Sequence, residues 1–222
     1  MSAPVPALAV SGMSVVYGRV LAVRDATFTI GEGESVAIVG PNGNGKSSIL
    51  MGIAGLVVQR RGTVEIFGAQ APPGDVGWTA RHGLTLVPER RQLYPKLSAA
   101  DNIVLGCYSW TRSVRKARTS AAYAFAVGLF PELGPHLGQA AGTLSGGQQQ
   151  MVAIARGLAS NPRILAVDEP CLGLAEAVSK RVYAALARIH GEGRTLILVE
   201  EAPRRALQIC TRRVEVRNGI AA

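Results

Sequence analysis

Short apolar runs broken by glycine open the chain, and longer unbroken runs alternate with helical stretches after them. Leu8-Ala9-Val10, Thr27-Phe28-Thr29-Ile30 and Val64-Glu65-Ile66-Phe67 are punctuated by Gly31, Gly33, Gly62 and Gly68. Their alternation predicts an antiparallel layer. Ser35 to Val39, Leu84 to Val87, Ile164 to Asp168 and Thr195 to Val199 are nearly continuous apolar runs, as in a parallel sheet covered on both faces. Lys46 to Leu56 reads as a helix. Met151, Ile154, Ala155 and Leu158 share one helical face, as do Val178, Val182, Ala185, Leu186 and Ile189 before Gly191 and Gly193. From Glu89 to Thr143 the pattern is mostly helical, with Ser98-Ala99-Ala100-Asp101 resembling a capping box ahead of Ile103, Val104 and Leu105. The prediction is one α/β domain over 1–222. Residues 1–88 and 160–222 form its core, and 89–159 form an inserted α-helical subdomain.

Composition supports a compact domain and changes the picture little. The chain has 222 residues, 48% hydrophobic and 18% charged, enough for one sizeable core. No apolar run reaches the ~18 residues that span a bilayer. The amino terminus lacks the charged-then-apolar pattern of a signal peptide, so none is expected. Cys107, Cys171 and Cys210 are odd in number and without ligand spacing, which favours reduced thiols over disulfides or a metal site. The net charge of +9 is spread over Arg90-Arg91, Arg112 to Arg118, Arg204-Arg205 and Arg212-Arg213. No aromatic residues interleave these clusters as a base-stacking platform requires, so no nucleic-acid partner is expected. A solvated basic face is the default, with attraction to anionic headgroups as the second reading.

Two segments carry the chemistry. Gly40-Pro41-Asn42-Gly43-Asn44-Gly45-Lys46-Ser47 fits G-x-x-x-x-G-K-[ST] between a strand and a helix, the context of a phosphate-binding loop. Its amides, with those up to Ser48, can wrap phosphates. Lys46 supplies a charge to the β and γ phosphates of ATP, and Ser47 a hydroxyl to Mg²⁺. Ile164-Leu165-Ala166-Val167-Asp168-Glu169 ends a buried strand in two acids. Asp168 suits a water-mediated Mg²⁺ contact, and Glu169 suits the general base that polarises an attacking water. Leu144-Ser145-Gly146-Gly147-Gln148-Gln149-Gln150 then leads into a helix. Ser145, two glycines and a helix amino terminus make a second anion site. That site is redundant unless it closes on a nucleotide carried by another subunit.

In this order and spacing, Gly40 to Ser47, Leu144 to Gln148 and Ile164 to Glu169 resemble the ATP-binding cassette (ABC) ATPases over essentially the whole chain. The resemblance implies a P-loop core with an antiparallel β layer and a helical subdomain. It also implies a head-to-tail dimer in which ATP lies between one subunit's loop and the partner's signature, formed here by Ser145, Gly146, Gly147 and Gln148. Tyr17, followed by Gly18, matches the aromatic that stacks on adenine. Val87-Pro88-Glu89-Arg90-Arg91-Gln92-Leu93-Tyr94-Pro95-Lys96-Leu97-Ser98, Asp168 to Ala175 and Leu198-Val199-Glu200-Glu201 resemble, more narrowly, the F-type ATPase subunits of branched-chain amino acid importers. Glu89 stands where the wider family has a glutamine that contacts Mg²⁺ and senses the membrane subunit, and an oxygen ligand is preserved. The implied partners are a G-type ATPase subunit, two membrane-spanning permease subunits and an extracytoplasmic substrate-binding protein. The implied location is the cytoplasmic face of the membrane.

Some positions depart from the pattern. The family's switch histidine falls on Glu201, which is either an altered switch or a solvent-facing residue. A carboxylate beside a γ-phosphate needs a proton, a cation such as Arg204 or Arg205, or another orientation. Ala175 replaces an interface aspartate. Relatives continue beyond Asn218-Gly219 with a return strand and a short helix, so an incomplete, less stable last hairpin is expected. The leading reading is an importer ATPase, with branched-chain amino acids ahead of urea, short amides or other hydrophobic compounds as cargo. The alternative is a regulatory nucleotide-binding subunit with low turnover. A soluble cassette of DNA repair or translation is disfavoured, because neither a second cassette nor a long coiled-coil insertion is present.

Overall fold

The computed structural model describes residues 4–201 and 203–222. Its strands are β1 (Leu8–Tyr17), β2 (Val20–Ile30), β3 (Ser35–Val39), β4 (Arg60–Ile66), β5 (Ala69–Gln70), β6 (Leu84–Val87), β7 (Ile164–Asp168), β8 (Thr195–Glu200), β9 (Arg212–Arg217) and β10 (Ile220–Ala221). Its α-helices are α1 (Lys46–Ile53), α2 (Val76–Arg81), α3 (Ala99–Leu105), α4 (Val114–Arg118), α5 (Ala121–Gly128), α6 (Gly146–Ala159), α7 (Glu176–Gly191) and α8 (Pro203–Ala206).

All ten strands form one sheet in the order β5-β4-β1-β2-β10-β9-β3-β8-β7-β6. In the β5-β4-β1-β2 half each strand is antiparallel to its neighbour, while β9, β3, β8, β7 and β6 run parallel. The sequence pattern foresees both halves but not the weld between them. β10 pairs antiparallel with β9 and parallel with β2, through Ile220↔Asp25 and Ala221↔Ala26. The return strand expected to be incomplete is two residues long, and those two join the halves.

Burial follows the two-residue period of the strands. Ala37, Val39, Leu165, Val167, Leu196 and Leu198 face one core with Met151, Ile154 and Leu158 of α6 and Val182, Leu186 and Ile189 of α7. Val36, Ile38, Ile164, Ala166, Ile197 and Val199 face the other, with Ile49, Leu50 and Ile53 of α1. Each such side chain contributes about 1.5–3 kcal/mol when taken out of water. Both faces of β3, β7 and β8 are covered, which explains why their sequences show no alternation. The 89–143 stretch is helical in short pieces. Ser98 caps α3 by accepting from the Asp101 N–H, whereas the reciprocal capping box lies at Ser145–Gln148, ahead of α6.

This topology places the chemistry. The carboxyl ends of β3, β7 and β8 lie side by side, with Val39 opposite Glu200 and Asp168 opposite Val199. Crevices at such strand ends are where open α/β sheets bind ligands.

Candidate active site

A cleft of about 730 Å³ opens at these strand ends, lined by Asn42, Gly43, Gly45, Lys46, Ser47, Ser48, Glu89 and Glu169, and on its far side by Val20 to Ala22, Arg24 and the Asn218-Gly219 turn. The loop between β3 and α1 is shaped by two glycines. A Cβ on Gly40 would stand 2.2 Å from the Val216 carbonyl oxygen; one on Gly45 would stand 2.5 Å from that of Ala22. Gly45 also has φ +96°, a backbone that side chains disfavour. No side chain caps α1, so its first amides are open to a ligand in the cleft. Asn44 fastens the loop to the last hairpin: its Oδ1 accepts from the Asn218 N–H and its carbonyl from the Gly219 N–H.

Lys46 is 5% exposed. Its ammonium donates to the carbonyls of Gly40 (2.8 Å) and Pro41 (3.2 Å) and to Asn42 Oδ1 (3.3 Å). It lies 3.8 Å from Glu169 Oε1. Asp168 is buried, with Oδ1 accepting no hydrogen bond. Burial pushes its carboxyl pKa up and the Glu89 charge adds to this, while Ser47 and Lys46 oppose it. Glu169 leaves β7 with φ +46°, its Oε1 also buried without a hydrogen bond. Burial and the Glu200 charge push its carboxyl up to about 7 against the pull of Lys46. The site therefore offers one buried cation, open amides and two carboxyls that each keep a buried oxygen short of partners. Such a set suits an anion carrying its own counter-cation.

The remaining predicted residues are distributed around this cleft. Tyr17 ends β1 at the hairpin to Val20; its ring is 42% exposed and its hydroxyl rests 3.6 Å from Met51 Sδ. It sits beside the lining residues rather than among them. Ser145, Gly146, Gly147 and Gln148 begin α6 and do not line the cleft. Gln148 reaches back to the Ser145 N–H (2.9 Å), and a Cβ on Gly147 would collide with Val178 of α7 at 2.6 Å. Glu201 is not turned to solvent alone: its Oε2 accepts from Asn42 Nδ2 at 2.9 Å. Of the two cations suggested for it, Arg205 is engaged elsewhere, pairing with Glu176. Glu89 lines the cleft just ahead of a turn in which Arg91 and Gln92 have positive φ. Arg156 of α6 holds both their carbonyls, linking this segment to the signature helix.

The similarity to known proteins follows the same parts. Residues 23–172 match the ABC transporter family. The chain belongs to the ABC transporter family. It is an ATPase of that family and binds ATP. It is 32% identical over 207 residues to the high-affinity branched-chain amino acid transport ATP-binding protein BraG of Pseudomonas aeruginosa, covering 93% of this chain and 87% of that one. It is 30% identical over 194 residues to the probable branched-chain amino acid transport ATP-binding protein LivF of Archaeoglobus fulgidus, covering 87% and 80%. A ribose import ATP-binding protein, RbsA of Caldanaerobacter subterraneus, is 29% identical over 96% of this chain, which spans only 43% of that protein's length. The ATP-binding cassette MJ0796, solved as a dimer in a post-hydrolysis state with ADP and Pi, superposes with a TM-score of 0.82 at 26% identity, covering 96% of each chain.

Proposed function

We propose that this chain is the energy-coupling ATPase of an importer, with branched-chain amino acids as its cargo. The observation that carries the reading is the juxtaposition of Lys46, 3.8 Å from Glu169, with the orphaned buried oxygens of Asp168 and Glu169 at the phosphate loop. Lys46 would exchange its carbonyl partners for phosphate oxygens. The amides of Gly43 to Ser48 would hold the same phosphates, and Tyr17 would stack on adenine. Ser47, Asp168 and Glu89 would hold Mg²⁺, which supplies charge neutralisation of the phosphates when bound. The unpartnered Oδ1 of Asp168 fits that role, since Mg²⁺ commonly takes one or two carboxylates and shares the rest of its sphere with water and phosphate. Glu169 accepts the proton of the attacking water.

Ser145 to Gln148 lie off the cleft, so a second cassette presenting its own signature would complete the site. MJ0796 in its dimeric form is the precedent. Relatives with the names BraG and LivF both match; an F-type role with a G-type partner rests on the local motifs around Glu89 and Glu200-Glu201. Two permease subunits and an extracytoplasmic binding protein complete the assembly. No helix among the described residues is long and apolar enough to cross a membrane, in keeping with a peripheral subunit at the cytoplasmic face. The permease subunits would dock near Glu89 to Arg118, within the 89–159 subdomain.

One observation favours a regulatory second reading. Glu201 holds Asn42, putting a carboxylate beside the loop that binds phosphates, where it would slow turnover. ATP-dependent uptake by vesicles carrying the reconstituted complex decides between them. Leucine, isoleucine or valine uptake that fails with Lys46→Ala in this subunit supports the importer reading; uptake indifferent to that change supports the regulatory one.

A further inference from the structure

β7 and β8 are neighbours, and their carboxyl ends bring two acidic side chains together. Asp168 pairs in register with Val199, and the Glu169 N–H donates to the Val199 carbonyl at 3.0 Å. The next residue along β8 is Glu200, so Glu169 and Glu200 leave the sheet at adjoining strand ends, where burial and the neighbouring Glu200 charge push the Glu169 carboxyl up. Glu200 is itself tethered. The hydroxyl of Tyr183, from α7, donates to its Oε1, and Tyr183 is only 7% exposed, packed into the core between α7 and the sheet. Lys46 Nζ lies 3.8 Å from Glu169 Oε1.

The fold alone gives no reason for a carboxylate here. Leu196, Ile197, Leu198 and Val199 are fully buried and apolar, and ending such a strand in a half-buried acid facing another acid costs desolvation and repulsion. α7 nevertheless commits a buried tyrosine to holding it. A glutamate has several rotatable torsions, and a base displaced by about 1 Å can lose on the order of 10²-fold in rate.

We propose that Glu200, anchored by the Tyr183 hydroxyl, is a positioning residue for Glu169, fixing the rotamer of the general base against the cleft wall. This rests on the assignment of Glu169 made above. Glu200 is not among the residues lining the cleft, and in this role it acts through Glu169.

The test measures hydrolysis of γ-phosphate-radiolabelled ATP by the reconstituted importer complex carrying each variant in this subunit, sensitive enough to follow slow turnover, across an ATP concentration series. Tyr183→Phe and Glu200→Ala are expected to lower kcat roughly tenfold or more with KM for ATP within about twofold of wild type. Glu200→Gln keeps an acceptor for Tyr183 and offers an amide donor to Glu169, so it is expected to retain most of the turnover. Combined with Glu169→Gln, either disruptive change is expected to add no further loss, because groups acting as a unit are not additive. Wild-type kcat in both Tyr183→Phe and Glu200→Ala would overturn the proposal. So would equal loss in Glu200→Gln, or losses that multiply with that of Glu169→Gln, since both describe general damage at the strand end. If Tyr183→Phe does not fold, the Glu200→Ala and Glu200→Gln pair decides alone. Wild-type turnover in Glu169→Gln itself would instead remove the base assignment, an outcome distinct from the others.

Discussion

Alanine at Gly45 and alanine at Gly43 should damage the phosphate loop unequally. Both glycines have left-handed backbones, φ +96° and +79°, so each substitution carries about 1–2 kcal/mol of dihedral strain. Their surroundings differ. A Cβ at Gly43 meets nothing within 4 Å, whereas one at Gly45 would stand 2.5 Å from the Ala22 carbonyl oxygen. That contact cannot exist, so either the loop lifts away from β2 or the backbone around Ala22 moves. Displacements of that kind add about 1–3 kcal/mol. The expected loss is therefore about 1 kcal/mol for Gly43→Ala and about 3 kcal/mol for Gly45→Ala, or roughly 3 °C and 9 °C in unfolding midpoint for a domain of this size. Urea and thermal unfolding without nucleotide measure the pair directly, before any ligand contact enters. Because the same movement shifts the amides that open α1, Gly45→Ala should also weaken ATP binding by tenfold or more. Equal destabilisation by the two substitutions would refute the packing of this loop against β2.

Other expectations follow from the same geometry. Lys46→Ala should weaken ATP binding by about two decades or more, since it removes a buried cation worth about 3–5 kcal/mol to its counter-charges; nucleotide titration showing unchanged affinity would contradict its role. Tyr17→Ala should mainly raise KM for ATP, and a fall confined to kcat would assign the ring to something other than adenine. Glu201→Gln keeps an acceptor for Asn42 but removes a negative charge near the phosphates, so ATP affinity should rise by about threefold, the scale of a solvent-screened charge. Weaker binding in that variant would mean that the Glu201 carboxylate supports the loop rather than opposing the ligand.

Local patterns made much of this molecule legible. The alternating strands, the continuous β3, β7 and β8 runs and the faces of α6 and α7 emerge from periodicity, because each side chain's burial depends on its own element. The phosphate loop is equally readable, since Gly40 and Gly45 stand where only glycine fits. Long-range contacts were not. Nothing local says that Ile220-Ala221 will weld two half-sheets, that Arg205 will choose Glu176 over Glu201, or that Tyr183 will reach Glu200. The Glu169–Glu200 encounter depends on strand order, with β8 inserted between β7 and β3. A carboxylate ending an apolar run is the one sequence signal that marked Glu200, and it marks solvated strand ends just as well.

The central claim is that Glu169 drives ATP hydrolysis in a site built on Lys46. Glu169→Gln changes one carboxylate oxygen to an amide nitrogen and leaves the volume of the cleft intact. Turnover and ATP affinity should be measured on that variant beside wild type. A loss of about 10²–10⁴-fold in turnover, with ATP affinity within about threefold of wild type, is the predicted result. Near-normal turnover with unchanged binding would contradict the account, and place the base for hydrolysis elsewhere.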